Sequence, residues 1–150
     1  MKIGIEAFFL NRTHSGGKEQ VLFNLLKGFQ ALGKARHFHI FAYDYAADVI
    51  KGLIPDAAFT FIPYKNTFIK KTVTDSVLKT FRLGRLAERH GIDVLFFPHF
   101  NTGLRKFRIP AVVLPHDIQV ISNAGQFALK DRTIYGLQYY FDFKLRTKVI

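Results

Sequence analysis

What most constrains the fold of this chain is its rhythm: short apolar runs alternate with longer segments whose apolar residues recur at helical spacing. Lys2 to Phe9 reads as a first strand, and Asn11 to Gly17 as a polar, glycine-bearing loop. Lys18 to Leu32 reads as a helix, with Val21, Leu22, Leu25, Leu26, Phe29 and Leu32 along one side and Gly33 as its stop. His37 to Tyr43 reads as a strand of alternating apolar and polar residues, Ala46 to Leu53 as a short helix ended near Pro55, and Ala58 to Ile62 as a third strand. Thr74 or Asp75 is placed to cap a helix running to His90, with Gly91 as its terminator. Asp93 to Phe97 and Ala111 to Leu114 are almost wholly apolar, as strands covered on both faces are, and Pro110 and Pro115 fence the second. Lys130 to Lys148 reads as a last helix, with Ile134, Leu137, Phe141 and Leu145 on one face.

Strands and helices in alternation predict an α/β fold: a Rossmann-like, doubly wound and mainly parallel sheet with right-handed crossovers. The 150 residues suit one domain, able to bury about two thirds of its unfolded surface. Val149-Ile150 reads as the opening of a further strand, so the alternation is expected to continue and the chain to be a fragment of a longer protein.

Composition removes several classes of chemistry. There is no cysteine, which excludes disulfides, thiolate metal sites and cysteine nucleophiles. A hydrophobic share of 49% with 22% charged residues argues against disorder. No apolar stretch approaches the roughly 20 residues needed to cross a bilayer, and Glu6 interrupts the apolar start. The expectation is a cytoplasmic chain, soluble or peripheral on the inner face of the cytoplasmic membrane. Twenty-two Lys and Arg against 11 Asp and Glu leave +11, a charge that favours an anionic partner.

In a doubly wound sheet, ligands sit beyond the carboxyl ends of the strands. Three loops are predicted there: 11–17, then 98–103, then Pro115-His116-Asp117, and they carry His14, His99 and His116. Gly16 and Gly17 open a helix, where bare backbone and helix N-terminal amides favour a phosphate or diphosphate. Equally, the two glycines do no more than turn the chain. Neither G-x-G-x-x-G nor G-x-x-x-x-G-K-[ST] is present, which disfavours ordinary dinucleotide or P-loop binding. His116 can donate to a ligand oxygen or carry a proton, with Asp117 orienting it; the plainer reading is a capping Asp beside a structural His. His99 is open in the same way, as a cleft residue or a loop-packing one. His37, His39 and His90 read as structural or solvated. The spacing of the histidines and acids matches no standard metal site, so no metal is expected.

Three segments carry a family resemblance. Residues 12–26, Arg-Thr-His-Ser-Gly-Gly-Lys-Glu-Gln-Val-Leu-Phe-Asn-Leu-Leu, resemble the glycine-rich opening of retaining GT-B glycosyltransferases of family 4. Residues 93–101, Asp-Val-Leu-Phe-Phe-Pro-His-Phe-Asn, are similar to that family's DVxHxPxFN segment, and residues 109–118, Ile-Pro-Ala-Val-Val-Leu-Pro-His-Asp-Ile, to its xPxVVTxHDL segment. Each motif is weak alone; their shared order and spacing are specific. Lys18 and Glu19 stand where relatives often have small or apolar residues, and Pro115 where Thr or Ile is common.

The resemblance implies a two-domain enzyme with facing Rossmann-like halves. This chain would be the acceptor-side half, and the donor-binding half, with its E-x7-E motif, would be absent from it. The enzyme would move a sugar from a nucleotide-sugar donor to a glycan or lipid-linked acceptor in cell-envelope polysaccharide synthesis, with no cofactor and no metal. Gly16 and Gly17 would approach the donor diphosphate, His116 would be catalytic near the transferred sugar, and His99, Phe100, Asn101 and Asp117 would line the cleft.

The alternative is a non-catalytic basic module for an anionic membrane surface or polyanion. Residues 65–90 interleave Lys65, Lys70, Lys71, Lys79, Arg82, Arg85 and Arg89 with apolar residues including Phe68 and Phe81, a composition that suits an anionic bilayer. Lys70, Lys71 and Arg82 are the expected contacts. The competing reading is a solvated helix packing its apolar face on the sheet. Nucleic acid is disfavoured, since no helix-turn-helix, RRM or zinc-finger pattern is present.

Overall fold

The computed structural model describes residues 1–11, 16–65, 68, 70–114, 125, 129, 133, 136–137, 139–140 and 148–149. The strands are β1 (Ile3–Glu6), β2 (Phe38–Tyr43), β3 (Ala58–Ile62), β4 (Val94–Phe97), β5 (Ala111–Val113) and β6 (Lys148–Val149). They pair in the order β3-β2-β1-β4-β5-β6, and every pairing is parallel. The chain moves outward from β1 to β3, then crosses back to β4 on the other side of β1. That reversal makes the β1/β4 boundary the switch point of the sheet.

Helix α1 (Gly17–Ala31) and helix α2 (Ala47–Leu53) cover one face. Leu22 and Leu26 of α1 are fully buried there with Ile5, Ile40, Ala42, Ile50 and Ile54. Each of the leucine and isoleucine side chains stabilises the fold by about 2 kcal/mol through area removed from water. The other face packs Phe8, Phe41, Tyr43, Leu95, Phe97 and Val113 against Leu78, Leu83 and Ala87. Those three come from one continuous helical stretch: α3 (Lys71–Leu78), a π-turn (Lys79–Leu83) and α4 (Gly84–Arg89). Gly4 of β1 faces this second core, and a Cβ there would lie 3.0 Å from Ile92, Leu95 and Phe41 side chains.

The doubly wound parallel sheet predicted from the strand–helix rhythm is the architecture found. Some boundaries differ, each for a local reason. The first ladder closes at Glu6 rather than Phe9, because the Glu6 carboxylate accepts the Phe8 N–H (2.8 Å) and turns the chain. Residues 7–10 stay buried after the turn, so hydropathy carries no mark of the strand's end. Strand β2 begins at Phe38 rather than His37 and, despite its alternating sequence, is buried along its whole length, His39 included. Its ring lies between Phe41 and His90 (centroids 4.7 and 4.4 Å), and its Nε2 is 2.7 Å from Thr60 Oγ1. The helix expected to start at Thr74 or Asp75 begins at Lys71, because Asp75 is engaged from a buried position inside it instead of capping it. The helix expected over 130–148 lies largely outside the described residues; within it Thr133, Gly136, Leu137, Tyr139 and Tyr140 are helical, and Lys148 already belongs to β6.

Candidate functional site at the carboxyl edge of the sheet

The switch point ends in a buried charge cluster. Glu6, the last residue of β1, has no solvent exposure, and neither in effect does Lys79, the first residue of the π-turn. The Lys79 ammonium lies 3.3 Å from Glu6 Oε1 and donates to the carbonyl of Asn101 (3.0 Å). Glu6 Oε2 faces His99 Nε2 at 3.1 Å, and the same nitrogen is 3.4 Å from Lys79 Nζ. A π-turn widens a helix by one residue and recurs at functional sites; here it opens at the lysine that reaches into the core.

Electrostatics follow from that packing. Burial would raise the Glu6 carboxyl, but the Lys79 charge, His99 and the Phe8 N–H outweigh it and hold the pKa at about 2. Burial, reinforced by Lys79 and Lys18, pushes His99 down to about 4 against the opposing pull of Glu6. At neutral pH Glu6 is therefore an ionised carboxylate and His99 a neutral imidazole.

The 98–103 loop is built around these groups. Asn101 takes a left-handed backbone (φ 74°), a conformation asparagine tolerates better than most residues, and its amide donates to Ser76 Oγ (3.1 Å). Gly103 (φ 92°) lets the loop lie on the π-turn: a Cβ would be 2.9 Å from Thr80 Oγ1 and 3.0 Å from Thr80 N. Phe100 packs edge-on against Tyr139 (4.3 Å).

The start of α1 reaches the same rim through Phe9. The Phe9 ring meets His99 edge-on at 4.2 Å, and Lys18 Nζ stands 5.5 Å from its centroid. Gly16 is the N-cap of α1, and its N–H is taken by the Glu19 carboxylate (3.0 Å), which also accepts from Asn11 Nδ2 (3.3 Å). Glu19 is buried. The anion at this helix N-terminus is thus supplied by the helix itself, and a diphosphate reaching Gly16 would have to displace a like charge. Gly17 is unobstructed: a Cβ there would meet nothing within 4 Å.

The structure places Gly16 and Gly17 after β1 and His99, Phe100 and Asn101 after β4, at the same edge of the sheet. His14, His116 and Asp117 lie outside the described residues. The Leu114 N–H donates to the Phe97 carbonyl (2.9 Å), so the chain leaves β5 beside the base of the His99 loop.

Two sequence expectations for the basic segment are corrected. Lys71 is not a free surface charge: its ammonium pairs with Asp75 (2.6 Å), donates to the Phe8 carbonyl and lies over the Tyr43 ring. Burial lowers its pKa, against the opposing effect of Asp75. Lys79 is a core residue. Lys70 and Arg82 do remain exposed. Around Arg82, the side chains of Phe81, Arg85, Leu86 and Arg89 line a shallow cavity of about 220 Å³.

Glu6 and Lys79 are the members of the buried cluster that sequence reasoning passes over. The available signal was positional. A glutamate ending an otherwise apolar central strand requires a buried partner, and Lys71, Asp75 and Lys79 recur at one-turn spacing with alternating sign.

Compared with known proteins, the sequence matches no family model and no curated protein. Among the described residues, no helix is long and apolar enough to cross a membrane.

Proposed function

We propose that this chain is the acceptor-side half of a retaining, nucleotide-sugar-dependent glycosyltransferase, acting on a glycan or lipid-linked acceptor of the cell envelope. The observation that carries the reading is the Glu6–His99–Lys79 cluster at the sheet's switch point, beside the glycine-opened N-terminus of α1. A neutral imidazole at a rim lined by hydrogen-bonding groups suits a polyhydroxylated ligand. Catalysis would be positional and electrostatic, with the acceptor hydroxyl held on the leaving-group face of the donor sugar and His116 near the transferred sugar.

The reading expects residues 1–150 alone to turn over no nucleotide sugar, and a polypeptide joining this domain to a donor-binding half to do so. In that longer polypeptide His116→Ala should cut turnover by about 10²-fold, the scale of losing one transition-state contact, with little change in Tm. Turnover by 1–150 alone, or parallel loss of Tm and activity in His116→Ala, would refute it.

A second reading, docking to an anionic bilayer, is favoured by one observation. Val73, Val77 and Phe81 form a half-exposed apolar ridge (51–52%) on the outside of the 71–89 helical stretch, beside Arg82, Arg85 and Arg89. Each cation near an anionic surface contributes about 1 kcal/mol. Salt-sensitive co-sedimentation with phosphatidylglycerol vesicles, lost on neutralising Lys70, Arg82 and Arg85, is the expected result; unchanged binding would remove the reading.

A further inference from the structure

A buried Glu–Lys pair is an expensive way to stabilise a sheet edge, because desolvating two ions offsets most of their attraction. Glu6 Oε1 takes the Phe8 N–H and faces the ammonium, and Lys79 also holds the Asn101 carbonyl. What remains is Oε2, and it is spent on His99, whose side chain keeps 12% exposure.

An ionised carboxylate only accepts hydrogen bonds, so the ring nitrogen 3.1 Å from it carries a hydrogen. A doubly protonated ring is opposed by two cations: Lys79 at 3.4 Å from Nε2, and Lys18 from α1 above Phe9. Among the described residues, the charged groups acting on His99 are Glu6 from β1, Lys79 from the π-turn and Lys18 from α1. The ammonium can only donate, but its contact with Nε2 is the longer of the two (3.4 against 3.1 Å), so the carboxylate sets the proton on Nε2 and leaves a lone pair on Nδ1.

We propose that Glu6 and Lys79 are positioning residues that fix His99 in the Nε2–H form, so that Nδ1 accepts a hydrogen bond from a hydroxyl of the sugar acceptor. The proposal rests on the glycosyltransferase reading for the identity of the ligand, but not for the state of the ring.

Nitrogen-15 correlation spectra of histidine-labelled protein report both. His99 should show Nε2–H with unprotonated Nδ1 at neutral pH, and should titrate well below an ordinary histidine. Removing a nearby positive charge in Lys79→Met should move that midpoint upward; Lys18→Met, at the surface, should move it the same way by less and serves if the first variant does not fold. Adding methyl α-glucoside or methyl α-mannoside should shift the Nδ1 resonance saturably. An Nδ1–H tautomer, or a midpoint near 6.5 that neither lysine variant moves, overturns the positioning role. A correct tautomer whose Nδ1 stays silent while the Asn101 and Gly103 amides respond to glycoside overturns the acceptor contact and spares the transferase reading. If the tautomer is correct and no rim resonance responds to either glycoside, the contact fails together with the acceptor-side reading.

Discussion

Replacing Lys79 with methionine isolates the energy of the buried cluster, since it keeps most of the side-chain volume and removes the charge. Holding the Glu6 carboxyl at about 2 instead of 4.5 is worth about 3 kcal/mol at neutral pH, and Lys79 is the largest favourable contributor to that lowering. Without it, burial dominates and Glu6 must stay ionised and poorly paired or take up a proton. Breaking a buried pair from one side costs about 3–5 kcal/mol, so urea unfolding at neutral pH should show a loss of that size. The sign with pH is fixed as well. In the wild type the folded carboxyl titrates below the unfolded one, so its contribution is complete above 4.5 and is lost as pH falls toward 2. In Lys79→Met the folded carboxyl titrates higher, and the deficit should shrink as acid protonates Glu6. The double variant Glu6→Gln/Lys79→Met, which leaves no buried charge, should recover most of the loss. A single-variant cost below about 1 kcal/mol, or a double variant whose cost is the sum of the singles, would refute the pairing.

His39 makes a separate pH prediction: burial first, then His90 and Lys2, lowers it from 6.5 to about 4, so the unfolded chain binds the proton first as pH falls. Stability should be full above 6.5 and decline toward 4 by about 3 kcal/mol from this residue, with His99 acting in the same window; His39→Gln should flatten the profile measured by urea unfolding, and an unchanged slope would contradict it. Glu19→Gln weakens the tie on the Gly16 N–H and should cost about 0.5–2 kcal/mol in thermal unfolding while tightening inorganic phosphate binding at α1; no gain in phosphate binding would show that this helix end is not an anion site. Gly103→Ala combines a positive φ with contact on Thr80 and should cost about 1–3 kcal/mol, and a neutral effect on Tm would refute the described loop packing.

The parallel sheet was legible because its strands are short, apolar and separated by helical periodicity, and no competing pattern interrupts them. The site was legible only in part. The rim histidine His99 could be placed from its position after β4, but its partners could not, because the 71–89 stretch inverts the usual rule for an amphipathic helix. Its charged stripe, Lys71-Asp75-Lys79, turns toward the sheet, while Val73, Val77 and Phe81 at the same spacing face outward. A hydrophobicity pattern assigns the inner face to the apolar stripe, and nothing local corrects it. The correction is tertiary: Tyr43 donates to Asp75 (2.8 Å), and Glu6 receives Lys79. Leu78 and Leu83 supply the apolar contacts that keep this face inward.

The inversion links fold to function. A helix that buries two charges and half-buries a third gives up stability a leucine stripe would supply, unless those charges hold something in place. Here they hold the two chain segments that end at the rim. Lys71 ties the Phe8 carbonyl beyond β1, and Lys79 ties the Asn101 carbonyl beyond β4. Both anchors act on the backbone just past the carboxyl ends of adjacent strands, on either side of the switch point, so the helix sets the separation between the segment after β1 and the loop that carries His99. The outward apolar ridge is then the geometrical counterpart of the same rotation: a helix turned to present its ions to the sheet has its valines and phenylalanine left on the surface, beside the arginine-lined cavity.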